Sequence, residues 1–128
     1  MSMSDKNIIQ QGRTIAFDFD GVIAQYSGFV SADHVEEPNA ETVQAIRKLK
    51  ESGYRILIHS TRGDEFLASY CAQYAIPYDY LNRRRDKEGR NPGKPIAFVY
   101  VDDRAINFHG QSADELVQEI KSFKVWWE

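Results

Sequence analysis

Short apolar segments that alternate with helix-like segments constrain the fold of this chain more than any other feature of its sequence. Segments 14–18, 54–60 and 96–101 are rich in β-branched and aromatic residues, which predicts buried strands, and 78–81 is a short further candidate. Helical spacing of apolar residues follows the first two strands, and a capping box that begins at Ser112 starts a last helix. Strands that alternate with helices form parallel sheets. We therefore predict an α/β, three-layer, Rossmann-like fold whose mostly parallel sheet is covered on both faces.

Capping residues set the expected limits of the helices. Asn39 follows a proline and can cap a helix that carries Val43 and Ile46 on one face and ends at Gly53. A second helix is predicted over 65–75. These limits leave a small flap after the first strand and no room for a cap domain.

Length and composition favour a single domain that is large enough for a catalytic core. The chain has 128 residues, which fits a single domain over 1–128, with 1–12 expected to be a loose tail. A net charge of −3 argues against a protein that coats nucleic acid. Cys71 is the only cysteine, so an internal disulfide and a multi-cysteine zinc site are excluded. No apolar segment is long enough to cross a bilayer, and no signal peptide is recognisable, so we expect a cytoplasmic protein without membrane contact.

Acidic residues follow two of the predicted strands. Asp18 and Asp20 leave the first strand ahead of Gly21, and Asp102 and Asp103 end the last one. Ligands of parallel sheets bind beyond the carboxyl ends of the strands, where these acids are expected to meet. Like charges cluster there only if a cation neutralises them, and all-oxygen ligands suit Mg²⁺. An acidic turn that merely ends a strand is the alternative for Asp18 and Asp20.

Two further polar residues complete the pattern. Ser60 follows the second strand, and Lys94 precedes the last one. A hydroxyl and a cation at these positions suit an anionic phosphoryl group. An ordinary strand-end hydroxyl and a solvated loop lysine are the alternatives.

These residues, in this order, resemble the motifs of the haloacid dehalogenase-like (HAD) superfamily. The first motif reads I-A-F-D-F-D-G-V, the second I-L-I-H-S, the third is Lys94, and the fourth reads V-Y-V-D-D. The resemblance extends from Thr14 to the final helix, and the short segments between the motifs are typical of a capless member.

The resemblance implies a phosphomonoesterase. Asp18 would be the nucleophile that forms an aspartyl-phosphate, and Asp20 the general acid and base. Ser60 would donate a hydrogen bond to the phosphoryl group, and Lys94 would hold it by charge.

The resemblance also implies an Mg²⁺ site. The ligands would be the side chain of Asp18, the backbone carbonyl of Asp20, and Asp102 or Asp103. Two adjacent residues of a straight strand cannot both face one ion, so one of the last pair is expected to act through water. Arg62 and Arg104 are expected to form salt bridges beside these acids.

Without a cap, the site is expected to be open to a substrate or to a second subunit. The sequence favours a phosphorylated small molecule, such as a sugar phosphate or nucleotide, over a phosphorylated nucleic-acid end, because the basic loop over 83–94 contains no aromatic residue for base stacking. That loop would steer anions to the site or would simply be solvated. The alternative function is a catalytically silent HAD-like domain that binds a phosphorylated ligand or a protein partner. A homo-oligomer is a possible assembly.

Overall fold

The computed structural model describes residues 13–83 and 93–128. These ranges contain β1 (Thr14–Asp18), α1 (Ala40–Glu51), β2 (Arg55–His59), α2 (Asp64–Tyr74), β3 (Tyr80–Leu81), β4 (Val99–Val101) and α3 (Ala113–Lys121). The predicted tail over 1–12 and most of the basic loop over 83–94 lie outside the described residues. Within the described ranges, no helix combines the length and the apolar character that crossing a membrane requires.

The four strands form one parallel sheet in the order β3-β2-β1-β4. This arrangement confirms the predicted α/β, Rossmann-like fold. The register pairs Asp18 of β1 with His59 of β2, and Phe17 of β1 with Val101 of β4. The acids that follow β1 and β4 therefore lie on the same side of the sheet, at the carboxyl ends of its strands.

The core lies around the two central strands. Ile56, Leu57 and Ile58 of β2 are completely buried, as expected for strands that are covered on both faces. Asn39 caps α1, because its side-chain oxygen accepts hydrogen bonds from the first turn of that helix, and Ile46 on the inner face is fully buried. The central part of the sheet is thus held as the apolar pattern predicts.

The prediction of a buried strand over 96–101 is wrong for β4, which lies at the edge of the sheet. The strand begins only at Val99, and the exposed fractions of Ile96, Phe98, Val99 and Tyr100 lie between 40% and 49%. Helix α3 has no buried residue. The prediction that both faces of the sheet are covered is therefore also wrong at β4, within the described residues. In the sequence, an apolar segment looks like a buried strand whether it lies at the centre or at the edge of a sheet. Among the described strands, β4 pairs with β1 alone.

The flap (residues 22–38) connects β1 to α1. Its two ends pair, with the amide of Gln25 donating to the carbonyl of Glu37 at 2.9 Å and the amide of Asn39 donating to that of Ile23 at 2.7 Å. Ile23 is buried, whereas Phe29 at the tip is 79% exposed. The base of the flap is therefore anchored in the core, and its tip is exposed to solvent.

Candidate active site

Three carboxylates from two strand ends come together. Asp18 is the last residue of β1, and Asp102 and Asp103 directly follow β4. One oxygen from each lies within 4.8 Å of the others. Both Asp102 and Asp103 place an oxygen near Asp18, and the expectation that one of them acts through water stays a prediction. The strand ends at Val101, and the chain turns so that Asp102 Oδ1 accepts a hydrogen bond from the amide of Arg104 at 2.7 Å.

The three carboxyl groups of this cluster destabilise the charged form of Asp18. Burial, a hydrogen bond shared with the carboxyl group of Asp103 and the charge of Asp102 raise the pKa of Asp18 to about 8. Asp103 Oδ1 is buried and meets no hydrogen-bond donor of the described residues. A divalent cation satisfies all three carboxylates at once, and their oxygens are the ligand type that Mg²⁺ prefers. These side chains therefore fit the magnesium ion that the sequence predicts.

The C-terminal tryptophans hold the turn after β1 and one of the acids. The indole of Trp127 donates to Asp103 Oδ2 at 2.7 Å, and that of Trp126 donates to the carbonyl of Gly21 at 2.8 Å. The ring of Trp127 also packs edge-on against Tyr26, with centroids 4.8 Å apart. Gly21 has a φ of 85°, and a Cβ there would lie 2.2 Å from Asp103 Oδ2. Only glycine therefore lets this turn approach the acid so closely.

The sequence by itself indicates no role at the site for these two tryptophans. No local pattern links Trp127 to Asp103, 24 residues away, or Trp126 to Gly21, 105 residues away. Their role as orienting groups becomes visible only in the folded chain.

Asp20 is held by Arg62, which also holds the flap. The guanidinium donates from Nε to Asp20 Oδ2 at 2.9 Å and from Nη2 to Oδ1 at 3.0 Å, a bidentate pair. The same group donates to the carbonyls of Ala32 at 2.9 Å and His34 at 2.6 Å. The salt bridge predicted for Arg62 is confirmed, and it connects the second acid of the D-x-D motif to the flap.

Ser60 stands at the end of β2 in a turn that Asn82 supports. Its hydroxyl oxygen accepts from the amide of Arg62 at 3.0 Å. Asn82 accepts from the amide of Ser60 at 2.9 Å and donates to Asp64 Oδ1 at 2.7 Å. Asn82 has a φ of 66°, a conformation that asparagine tolerates better than most residues. Sequence reasoning did not find Asn82, because an asparagine at the start of a loop is ordinary.

A cavity of about 220 Å³ joins most of the predicted site residues. Its lining consists of Asp18, Asp20, Tyr26, Ser60, Thr61, Asp103 and Arg104. Arg104 is the basic residue of this lining, and its guanidinium lies 5.4 Å from the centre of the Trp127 ring. The salt bridge predicted for Arg104 does not form with any acid of the described residues.

The structure does not bring Lys94 to this cavity. The Lys94 ammonium lies 4.7 Å from the centre of the Tyr100 ring. Lys94 lines a separate cavity of about 730 Å³ beside β4, which also includes His59 and Asp102. Lys94 and Asp102 are the two predicted site residues that do not line the small cavity, although an oxygen of Asp102 lies within 4.8 Å of one from Asp18.

Comparisons with known proteins support the fold. No family model and no curated protein matches the chain. A conserved protein from Bacteroides thetaiotaomicron has a similar structure, with a TM-score of 0.62 and 22% identity over 91% of this chain and 95% of that one. A structure from Vibrio cholerae gives a TM-score of 0.48 and 19% identity over 85% of this chain and 97% of that one. At 22% identity, the likeness to the Bacteroides protein shows a shared fold and no more.

Proposed function

We propose that this chain is an Mg²⁺-dependent phosphohydrolase of the HAD type, which cleaves phosphate monoesters through an aspartyl-phosphate on Asp18. One observation carries the proposal: oxygens of Asp18, Asp102 and Asp103 lie within 4.8 Å of one another at the carboxyl ends of β1 and β4. The cavity that contains Asp18 also contains Asp20 and Ser60. A nucleophile, a second acid and a hydroxyl donor therefore share one small space beside a candidate cation site.

Each side chain has a chemical task in this proposal. The Asp18 carboxylate attacks phosphorus and displaces the ester oxygen. The Ser60 oxygen already accepts the Arg62 amide, so its own O–H points elsewhere and can donate to a phosphoryl oxygen. Asp20 takes the proton from the water that hydrolyses the aspartyl-phosphate.

Asp18, Asp102 and Asp103 would hold the magnesium ion, together with the backbone carbonyl of Asp20. A bound Mg²⁺ supplies positive charge that offsets the repulsion between an anionic nucleophile and an anionic phosphate. For the cation that holds the phosphoryl group, the lining of the cavity favours Arg104 over Lys94.

The proposed substrate is a phosphorylated small molecule in the cytoplasm, and a second copy of the chain is the proposed cover for the open site. The test is phosphate release by the purified protein in Mg²⁺ and in EDTA. The panel contains acetyl phosphate, sugar phosphates, nucleotides and 5′-phosphorylated oligonucleotides. Release should require Mg²⁺ and disappear in Asp18→Asn, whereas the matched variant Asp114→Asn, in the exposed first turn of α3, should retain it. Metal-dependent release that survives Asp18→Asn would rule out this mechanism.

A second function has one specific observation in its favour. Both Asp20 oxygens are bound to Arg62, as expected if this acid served structure in a silent phosphate-binding domain. Calorimetry would then detect binding of inorganic phosphate in the presence of Mg²⁺. The domain would release no phosphate from any compound of the panel.

A further inference from the structure

A second cavity, of about 390 Å³, opens between the flap and the N-terminal end of α2. It shares Asp20, Tyr26 and Thr61 with the smaller cavity that contains Asp18. The two spaces therefore border the same three side chains, so a single ligand can extend from Asp18 into the second space. We call this second space the flap cavity.

The walls of the flap cavity carry large apolar side chains. Tyr26, Phe29 and Val30 come from the flap, and Phe66 comes from α2. Phe29 is 79% exposed and Val30 is 67% exposed, so both offer apolar area that a ligand can cover. A cavity of roughly 150 Å³ is enough for a benzene ring. The space therefore suits one substituted aromatic ring.

The charged groups of the lining are already engaged. Among the described residues, the titratable side chains of this lining are those of Asp20, Tyr26, His34 and Arg62. Arg62 makes four hydrogen bonds, two to Asp20 and two to flap carbonyls, and its guanidinium lies 4.6 Å from the centre of the Phe66 ring. Among the described residues, the lining therefore offers no further arginine or lysine for a second phosphate or a carboxylate, which favours an uncharged group here.

We infer that the substrate is a phosphate monoester of a phenol, whose aromatic ring binds in the flap cavity against Phe29 and Phe66. This inference rests on the proposed function. The Asp18 oxygen forms a bond to phosphorus while the bond between phosphorus and the phenolic oxygen breaks. The electron pair leaves on the phenolate, which takes a proton from solvent. Water then attacks phosphorus, Asp20 accepts the proton of that water, and Asp18 is released with inorganic phosphate.

The test compares two substrates that both have good leaving groups. Phenyl phosphate has a ring for the flap cavity, and acetyl phosphate has none. Phe29→Ala should lower kcat/KM for phenyl phosphate by about fivefold to tenfold, the size of an aromatic contact, and leave acetyl phosphate within twofold. Phe108→Ala is the matched control, because Phe108 is 69% exposed and lines the separate cavity beside β4. It should change neither substrate.

The outcomes separate the inference from the function on which it rests. If wild type hydrolyses acetyl phosphate with Mg²⁺ but Phe29→Ala affects both substrates equally or neither, the aryl inference is overturned and the phosphatase stands. Faster turnover of glucose 6-phosphate than of phenyl phosphate overturns it as well. If neither phenyl nor acetyl phosphate is hydrolysed, the proposed function fails and the inference with it. A phosphotyrosine peptide, compared with free phosphotyrosine, shows whether the phenol belongs to a protein or to a small molecule.

Discussion

Mg²⁺ should stabilise this protein much more at pH 8 than at pH 6. Without metal, the pKa of Asp18 is raised to about 8 by burial, by its hydrogen bond with Asp103 and by the charge of Asp102. At pH 6 the cluster therefore holds a proton that a divalent cation must displace, whereas at pH 8 about half of the molecules have already lost it.

The sign of the effect follows from the same shift. The pKa of Asp18 is above its value of 3.8 in the unfolded chain, so the metal-free fold loses stability as the pH rises from about 4 to about 8. A bound cation offsets this loss, because it takes the place of the proton between the carboxylates.

The magnitude can be worked from the proton competition. Relative to the fully deprotonated cluster, proton competition multiplies the apparent Kd for Mg²⁺ by about 2 at pH 8 and by about 100 at pH 6. The affinity for Mg²⁺ therefore differs by roughly 50-fold between the two pH values. This corresponds to about 2.3 kcal/mol in binding free energy and, for a domain of this size, to roughly 9 °C in Tm. Because Asp18 is only partly buried, solvent screening reduces this to roughly 4–9 °C.

The assay is thermal unfolding at saturating Mg²⁺ and in EDTA, at pH 6, 7 and 8. The increment in Tm should grow with pH in wild type and in the exposed-acid control Asp114→Asn, and should vanish in Asp18→Asn. Equal increments at pH 6 and pH 8, or an increment that Asp18→Asn retains, would refute the proton-linked metal site.

Three other changes test the parts of the structure around the site. Trp127→Phe keeps a ring against Tyr26 but loses the hydrogen bond to Asp103, so titration should show Mg²⁺ affinity about tenfold weaker, while an unchanged Kd would contradict an orienting role. Gly21→Ala puts a Cβ against the same acid at a positive φ, so the free energy of unfolding should fall by about 1–3 kcal/mol and the Mg²⁺-induced rise in Tm should disappear. Asn39→Ala removes the cap of α1 and should lower stability in urea unfolding by about 1 kcal/mol with phosphate release intact; lost activity at full stability would contradict a purely structural cap.

Much of the architecture could be predicted because its signals are local. The cap at Asn39, the alternation of strands and helices and the acids at the strand ends are all visible within a few residues of sequence. The edge position of β4 could not be predicted, because exposure depends on which strands lie beside an apolar segment and on what covers them. The same limit applies to Lys94, whose ammonium lies over the ring of Tyr100 and lines a cavity other than the one that contains Asp18.

The sequence alone thus determines a parallel α/β sheet with acids at the carboxyl ends of two strands, because strand direction and strand ends depend on neighbouring residues. Tertiary structure decides how those acids are used. It brings Asp18 and Asp103 close enough to share a proton and sets Trp127 against Asp103. It also binds Asp20 to an arginine that holds the flap. Together with the hydrogen bond from Trp126 to Gly21, these contacts join residues 24 to 105 positions apart, and only the packing of the whole chain creates them.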